Sequence, residues 1–250
     1  MQASTNSEPQ VIVAGLCKSF GQQTVLDGIS FHLESGQVTC VLGRSGTGKS
    51  VLLKLLIGLE TPDAGSIRID GCDIASASPA ELTASRKKVG FLFQQAALYD
   101  SMTIEENVAF PLRRHTSLSE AELHERVRHL LQSVGMDRDL AKMPSQISGG
   151  MRKRVGLARA LALEPSIVMF DEPTAGLDPI TAAEIATLIT GLRDQRHITS
   201  IVVTHDLHTA RNIADRLIVL DRGKTLFDGT FQGLSLSANP FIAEFLKDAA

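Results

Sequence analysis

The stretch from Val38 to Ser50 constrains this chain more than any other. Val38-Thr39-Cys40-Val41-Leu42 is short, apolar and partly β-branched, which reads as a buried strand. It breaks into Gly43-Arg44-Ser45-Gly46-Thr47-Gly48-Lys49-Ser50, a loop of the form G-x-x-x-x-G-K-S. Apolar residues then fall at helical spacing on Val51, Leu52, Leu55 and Leu56. Strand, glycine-rich loop and helix, in that order, make a phosphate-binding P-loop. The glycines permit backbone conformations barred to residues with a Cβ. Successive N–H groups between Gly43 and Val51 then point at one anion, beside the positive end of the helix dipole. Lys49 brings a full charge to the outer phosphates, and the Ser50 hydroxyl can ligate Mg²⁺.

Three further polar sites follow apolar strands. Gln94 ends the run 89–93, Asp171-Glu172 ends the continuous apolar run 167–170, and His205 ends the run 201–204. Continuous apolar runs of this kind belong to parallel strands buried on both faces. In an open parallel α/β sheet the C-terminal strand ends gather along one edge, where ligands bind. Four polar sites thus converge on one triphosphate. Asp171 is placed to hold Mg²⁺. Glu172, one residue on, can polarise the attacking water as general base. Gln94 can bridge metal and water, and His205 can hold the γ-phosphate or stabilise charge in the transition state. Phe20 is either an ordinary core aromatic or a ring that stacks on a purine.

Elsewhere the chain alternates between strand and helix patterns. Residues 11–16 and 30–34 read as strands, with turns at Gly21 and at Asp27-Gly28 and Phe20 in the connection. From about Ala96 to Ala160 helical periodicity replaces strand patterns. Ser119 and Glu122 form a capping box ahead of Leu123, Val127, Leu130, Leu131 and Val134. Ser148-Gly149-Gly150 opens another helix, with Ser148 as N-cap, and gives the chain a second anion-ready helix N-terminus. Asp178-Pro179 starts a third helix, and Asp221-Arg222-Gly223-Lys224 reads as a hairpin turn. The organisation expected is a P-loop α/β core with a mostly parallel sheet and an antiparallel β subdomain over residues 11–94. An α-helical subdomain follows at 95–160, the second part of the core at 161–234 and a C-terminal helix at 235–250.

Net charge is −3, which points to no general affinity for nucleic acid or an anionic membrane surface. Cys17, Cys40 and Cys72 follow no metal-ligand spacing and suit a reducing compartment. The polar segment from Met1 to Gln10 lacks a signal-peptide pattern, and no apolar run reaches the ~20 residues that span a bilayer. A cytoplasmic protein that meets a membrane through a partner is the expectation.

In order and spacing, these motifs resemble the ATP-binding subunits of ABC transporters over residues 11–229. Gly43 to Ser50 matches Walker A, 167–172 Walker B, and Ile147-Ser148-Gly149-Gly150 the signature motif. Gln94 matches the Q-loop, Ala175-Gly176-Leu177-Asp178 the D-loop, His205 the switch histidine and Phe20 the aromatic A-loop. The signature motif is the specific part, since P-loops occur in many enzymes; it argues against a small-molecule kinase. The chain departs from the pattern at Met151, where the signature usually carries Gln. The runs ISGGMRKR and FQQAALYDSMTIEENVAFPLR resemble the ATPases of Mla/Mce-type phospholipid transport systems in particular. The resemblance implies that the chain binds ATP and Mg²⁺ and hydrolyses ATP. Ser148, Gly149 and Gly150 are then expected to close over the ATP of a second copy, in a head-to-tail pair. It also implies membrane permease subunits, docked near Ala97, Leu98, Tyr99 and Met102, at the cytoplasmic face of the inner membrane. A lipid-binding Mce-type subunit and a small cytoplasmic accessory subunit are further implied partners. The catalytic motifs do not read cargo, so amino acids or metal complexes are alternatives to lipid. A non-transport ABC protein is a third reading, against which the single ATPase half and lack of a heptad run argue.

Overall fold

The computed structural model describes residues 9–248. The N-terminal residues up to Glu8, included in the leader reading above, lie outside them. The chain opens with a hairpin of β1 (Val11–Phe20) and β2 (Gln23–Leu33). Next come β3 (Val38–Leu42), α1 (Lys49–Leu56), β4 (Ala64–Ile69), β5 (Cys72–Asp73), α2 (Pro79–Lys87) and β6 (Val89–Leu92). Three helices follow with no strand between them: α3 (Ile104–His115), α4 (Glu120–Ser133) and α5 (Gly149–Ala160). The chain then alternates through β7 (Ile167–Asp171), α6 (Pro179–Arg196), β8 (Thr199–Thr204), α7 (Leu207–Ile213) and β9 (Arg216–Asp221). It ends with β10 (Lys224–Gly229), α8 (Phe231–Ser235) and α9 (Pro240–Asp248).

The main sheet has the order β10-β9-β3-β8-β7-β6. Strands β9, β3, β8, β7 and β6 are parallel and β10 is antiparallel to β9. A second, antiparallel sheet has the order β2-β1-β4-β5. Because side chains alternate along a strand, the central strands feed two cores. Val38, Cys40, Leu42, Val168, Phe170 and Val202 pack with the helical block, α6, α7 and α9. Val41, Met169, Ile201 and Val203 pack with α1 and the antiparallel sheet. This two-sided burial is why 167–170 and 201–203 are apolar without interruption. On α4 the stripe Leu123, Val127, Leu130 and Leu131 is buried, and Ser119 and Glu122 form their reciprocal capping pair.

The first hairpin departs from the sequence reading. The chain reverses at Gly21-Gln22, whereas Asp27-Gly28 lies inside β2. Gly28 has φ +72 at a register shift opposite β1, so its glycine serves a bulge rather than a turn. Phe20 accordingly is the last residue of β1, not part of a connection.

Close approach seats α5 on the sheet. A Cβ at Gly90 of β6 would stand 2.6 Å from the Ala160 carbonyl, and one at Gly156 of α5 would stand 2.8 Å from Leu92 Cδ1. Gly90→Ala must therefore push helix and strand apart. We expect it to cost about 1–3 kcal/mol, read as a lower urea midpoint with unchanged slope.

Candidate active site

The P-loop joins the end of β3 to the start of α1. Gly48 occupies the N-cap of α1 at φ +95, a conformation side chains disfavour, and a Cβ there would stand 2.9 Å from the Val25 carbonyl. The loop wraps its own lysine. Lys49 is 6% exposed, and its Nζ donates to the carbonyls of Gly43 at 2.8 Å and Arg44 at 3.0 Å. Burial pulls its pKa below the usual lysine range, against the opposing pull of the Glu172 and Asp171 carboxylates.

The strand order explains how distant residues meet. Strand β8 lies between β3 and β7, so two strand spacings, about 10 Å, separate the P-loop strand from Asp171. Helix α1 closes that gap: Ser50 Oγ donates to Asp171 Oδ1 at 3.0 Å. Burial raises the Asp171 pKa, and the Ser50 hydrogen bond works against that rise. A hydroxyl and a half-buried carboxylate side by side are hard oxygen donors, the set a small divalent cation takes, and such a cation would offset the desolvation of Asp171.

Glu172 is the most constrained residue of the site. Its φ is +49, in the left-handed region that costs a non-glycine residue about 1–3 kcal/mol. Its N–H donates to Val203 O at 2.9 Å, and its carbonyl accepts from Lys153 Nζ at 2.7 Å and Ala175 N at 3.2 Å. The carboxylate is held as firmly. Oε2 lies 2.9 Å from His205 Nδ1 and accepts from Thr204 Oγ1 at 3.3 Å, while Oε1 lies 3.9 Å from Lys49 Nζ. Opposite a carboxylate, the imidazole carries a proton on Nδ1. Lys49, Ser50, Asp171, Glu172 and His205 therefore form one connected cluster at the sheet edge.

The other sequence-chosen residues lie outside this cluster. Phe20 is 46% exposed at the hairpin tip, with the Lys18 ammonium 5.2 Å from its ring centre. The tip adjoins the P-loop through Val25, the neighbour of Gly48. Arg44 pairs with Glu244 of α9 at 2.9 Å and lies 5.2 Å from the Phe241 ring centre, so the loop is tied to the C-terminal helix. Gln94 is exposed and, among the described residues, its side chain makes no hydrogen bond; it lines a cleft of about 570 Å³ with Gly149, Arg152, Lys153 and Gly176. Ser148 caps α5 by accepting from Met151 N at 3.2 Å. Among the described residues, no hydrogen bond joins Ser148, Gly149 or Gly150 to the P-loop of the same chain. Gly150 is buried, and a Cβ there would stand 2.3 Å from Thr181 Cγ2, so at this position the close neighbour is α6.

A family model described as "ABC transporter" matches residues 26–175, which run from β2 through the P-loop, the α5 turn and the Asp171-Glu172 end of β7. The chain belongs to the ABC transporter family. Within that family it is 45% identical over 235 residues to a Mycobacterium leprae protein named probable ribonucleotide transport ATP-binding protein mkl, covering 94% of this chain and 68% of that one. It is 40% identical over 230 residues to the Escherichia coli K12 intermembrane phospholipid transport system ATP-binding protein MlaF, covering 92% of this chain and 86% of that one. Among solved structures, a dimeric, post-hydrolysis ATP-binding cassette bound to ADP and Pi superimposes with TM-score 0.82 at 32% identity, covering 88% of this chain and 98% of that one. CbiO1 from Clostridium perfringens, part of the ABC transporter complex CbiONQ, gives 0.84 at 28% identity, covering 96% and 100%. This ABC ATP-binding subunit binds ATP and hydrolyses it in the service of transport.

Two residues of the ABC site were not singled out by sequence. Thr204 donates to Glu172 and accepts the Asp206 N–H, which ties the end of β8 to the carboxylate. Lys153 holds the Glu172 carbonyl. Its signal was present: a lysine inside the buried stripe Gly150, Gly156, Leu157 of α5, where a cation needs a partner.

Proposed function

We propose that this chain energises phospholipid movement by a membrane transporter, binding ATP·Mg²⁺ between two copies of itself. About 40% identity to proteins named for intermembrane phospholipid transport, across 92% of the chain, carries the cargo reading. Ser50 and Asp171, which already share a hydrogen bond, would hold Mg²⁺ together with Gln94, which would also orient the attacking water. The metal, when bound, neutralises charge that builds up on the β- and γ-phosphates. The P-loop N–H groups from Gly43 to Val51 and the Lys49 ammonium take the phosphates, and Phe20 stacks on the adenine. Glu172 takes the proton of the attacking water, and His205 orients that carboxylate and faces the γ-phosphate.

Among the described residues the signature turn of Ser148, Gly149 and Gly150 makes no hydrogen bond to its own P-loop, which leaves it open for the nucleotide of a second copy. The dimeric cassettes among the structural relatives support the same pairing. Among the described residues no helix is long and apolar enough to cross a membrane. In this reading the chain meets the membrane through permease subunits, at the cytoplasmic face. Tyr99 and Phe110, with ring centres 5.0 Å apart and both exposed, line a groove with Phe93 and Ala97 that suits a permease helix.

The identity to proteins named for ribonucleotide transport favours a second cargo, a nucleotide. One experiment separates the two. Tagged chain purified from membranes in mild detergent is expected to bring down integral membrane subunits together with bound phospholipid, identified by mass spectrometry. A complex holding ribonucleotide other than ATP or ADP, and no enriched lipid, overturns the lipid reading. Recovery without any membrane protein overturns the transport role itself.

A further inference from the structure

Lys153 is a buried cation to which the reaction above gives no task. It is 5% exposed and lies one turn into α5. Its Nζ crosses from the helical block to the end of β7 and donates to the Glu172 carbonyl at 2.7 Å. The carboxylates of Glu172 and Asp171 are the charges that oppose the cost of burying it; even so, burial pulls its pKa down to about 8. Burying an ammonium is expensive unless it is paired and hydrogen-bonded, so a purely space-filling role fits it poorly. The helix that carries it is not free to shift, because Gly90 and Gly156 bring α5 against β6 at sub-van-der-Waals clearance for any Cβ. The peptide it holds is equally particular. Glu172 sits at φ +49, and left-handed residues persist only where their surroundings over-determine them.

We propose that Lys153 is a positioning residue for ATP hydrolysis: carried by α5, it fixes the Glu172 peptide so that the carboxylate stays beside His205 and Thr204. The inference rests on the reading of Glu172 as general base. Ala175 N also donates to the same carbonyl, so loss of Lys153 does not orphan that oxygen. The effect falls on the aim of the carboxylate more than on folding. A misplacement of about 1 Å at a reacting group costs on the order of 10²-fold in rate.

The test compares Lys153→Met and Lys153→Leu with Lys153→Arg in the full chain, by steady-state ATP hydrolysis and equilibrium binding of ATP·Mg²⁺. In the apolar variants kcat is expected to fall about 10- to 100-fold while KM and ATP affinity stay at wild-type values. Lys153→Arg, which keeps a long cationic donor at this position, is expected to restore most of the turnover. Wild-type kcat in either apolar variant overturns the proposal. So does a loss matched by an equal loss of ATP affinity in both, or one that arginine does not repair. Glu172→Gln, assayed alongside, separates the two layers. Normal turnover there removes the base and the tether together, whereas a silent Glu172→Gln beside a fully active Lys153→Met removes the tether alone.

Discussion

Glu172→Gln is expected to bind ATP at least as well as the wild type and to lose turnover by about 10²- to 10⁴-fold, the contribution of a general base. The substitution keeps the shape of the side chain. An amide oxygen still accepts from His205 Nδ1 and Thr204 Oγ1, which lie 2.9 and 3.3 Å from Oε2 in the wild type. What it removes is the ability to take a proton. Two electrostatic effects compete over binding. Loss of the carboxylate takes a partner 3.9 Å from Lys49 Nζ, yet it also takes a negative charge from beside the position proposed for the γ-phosphate. Lys49 keeps Asp171 and the carbonyls of Gly43 and Arg44, so the relief of repulsion wins and affinity holds or rises. With hydrolysis blocked, the head-to-tail pair proposed above has no route to open. Phosphate release, ATP·Mg²⁺ binding and size-exclusion chromatography with ATP are the measurements. Turnover near the wild-type value would show that the base is another group, and a monomeric elution with ATP bound would remove the pair.

Which parts of this arrangement the sequence made legible follows from how local each cause is. The P-loop is set by residues adjacent in the chain, and so are the runs 167–170 and 201–203, whose apolarity records burial on both faces of the sheet. Gly28 was read as a turn because glycine in a strand and glycine in a turn leave the same mark; only the register with β1 reveals the bulge. Phe20 moved into β1 for the same reason, since the true reversal is the two-residue turn after it. Strand order is not local at all. That β8 separates β3 from β7, and that Ser50 must bridge the two, depends on pairings of β8 with β7, 32 residues away, and with β3, 162 residues away, and on a hydrogen bond spanning 121 residues. Lys153 lies between these cases: its place in a buried helical stripe is readable, but its partner is the main chain of Glu172, which carries no sequence pattern.

Lys49→Ala separates affinity from stability in a way that the burial of the lysine dictates. In a fold that excludes water, the ammonium is already desolvated: Lys49 is 6% exposed and its pKa is pulled down by that burial. Removing it deletes a costly charge and two hydrogen bonds together, and these oppose each other. The carbonyls of Gly43 and Arg44 lose their donor, but the loop lies at an exposed sheet edge where water can reach the Arg44 side of it. The melting temperature is therefore expected to move little. Nucleotide binding has no such compensation. In the proposed binding mode the triphosphate would meet a cation whose water was stripped at folding, so the attraction would be realised at near full strength and without reorganisation. Truncating one partner of a buried charge pair costs about 2–4 kcal/mol, a rise in ATP Kd of about 30- to 900-fold. Isothermal titration with ATP·Mg²⁺, beside thermal unfolding of the same preparation, reads both quantities. An unchanged Kd would mean that the phosphates sit elsewhere on the sheet edge, and a collapse of the melting temperature would mean that the lysine holds the loop together rather than the nucleotide.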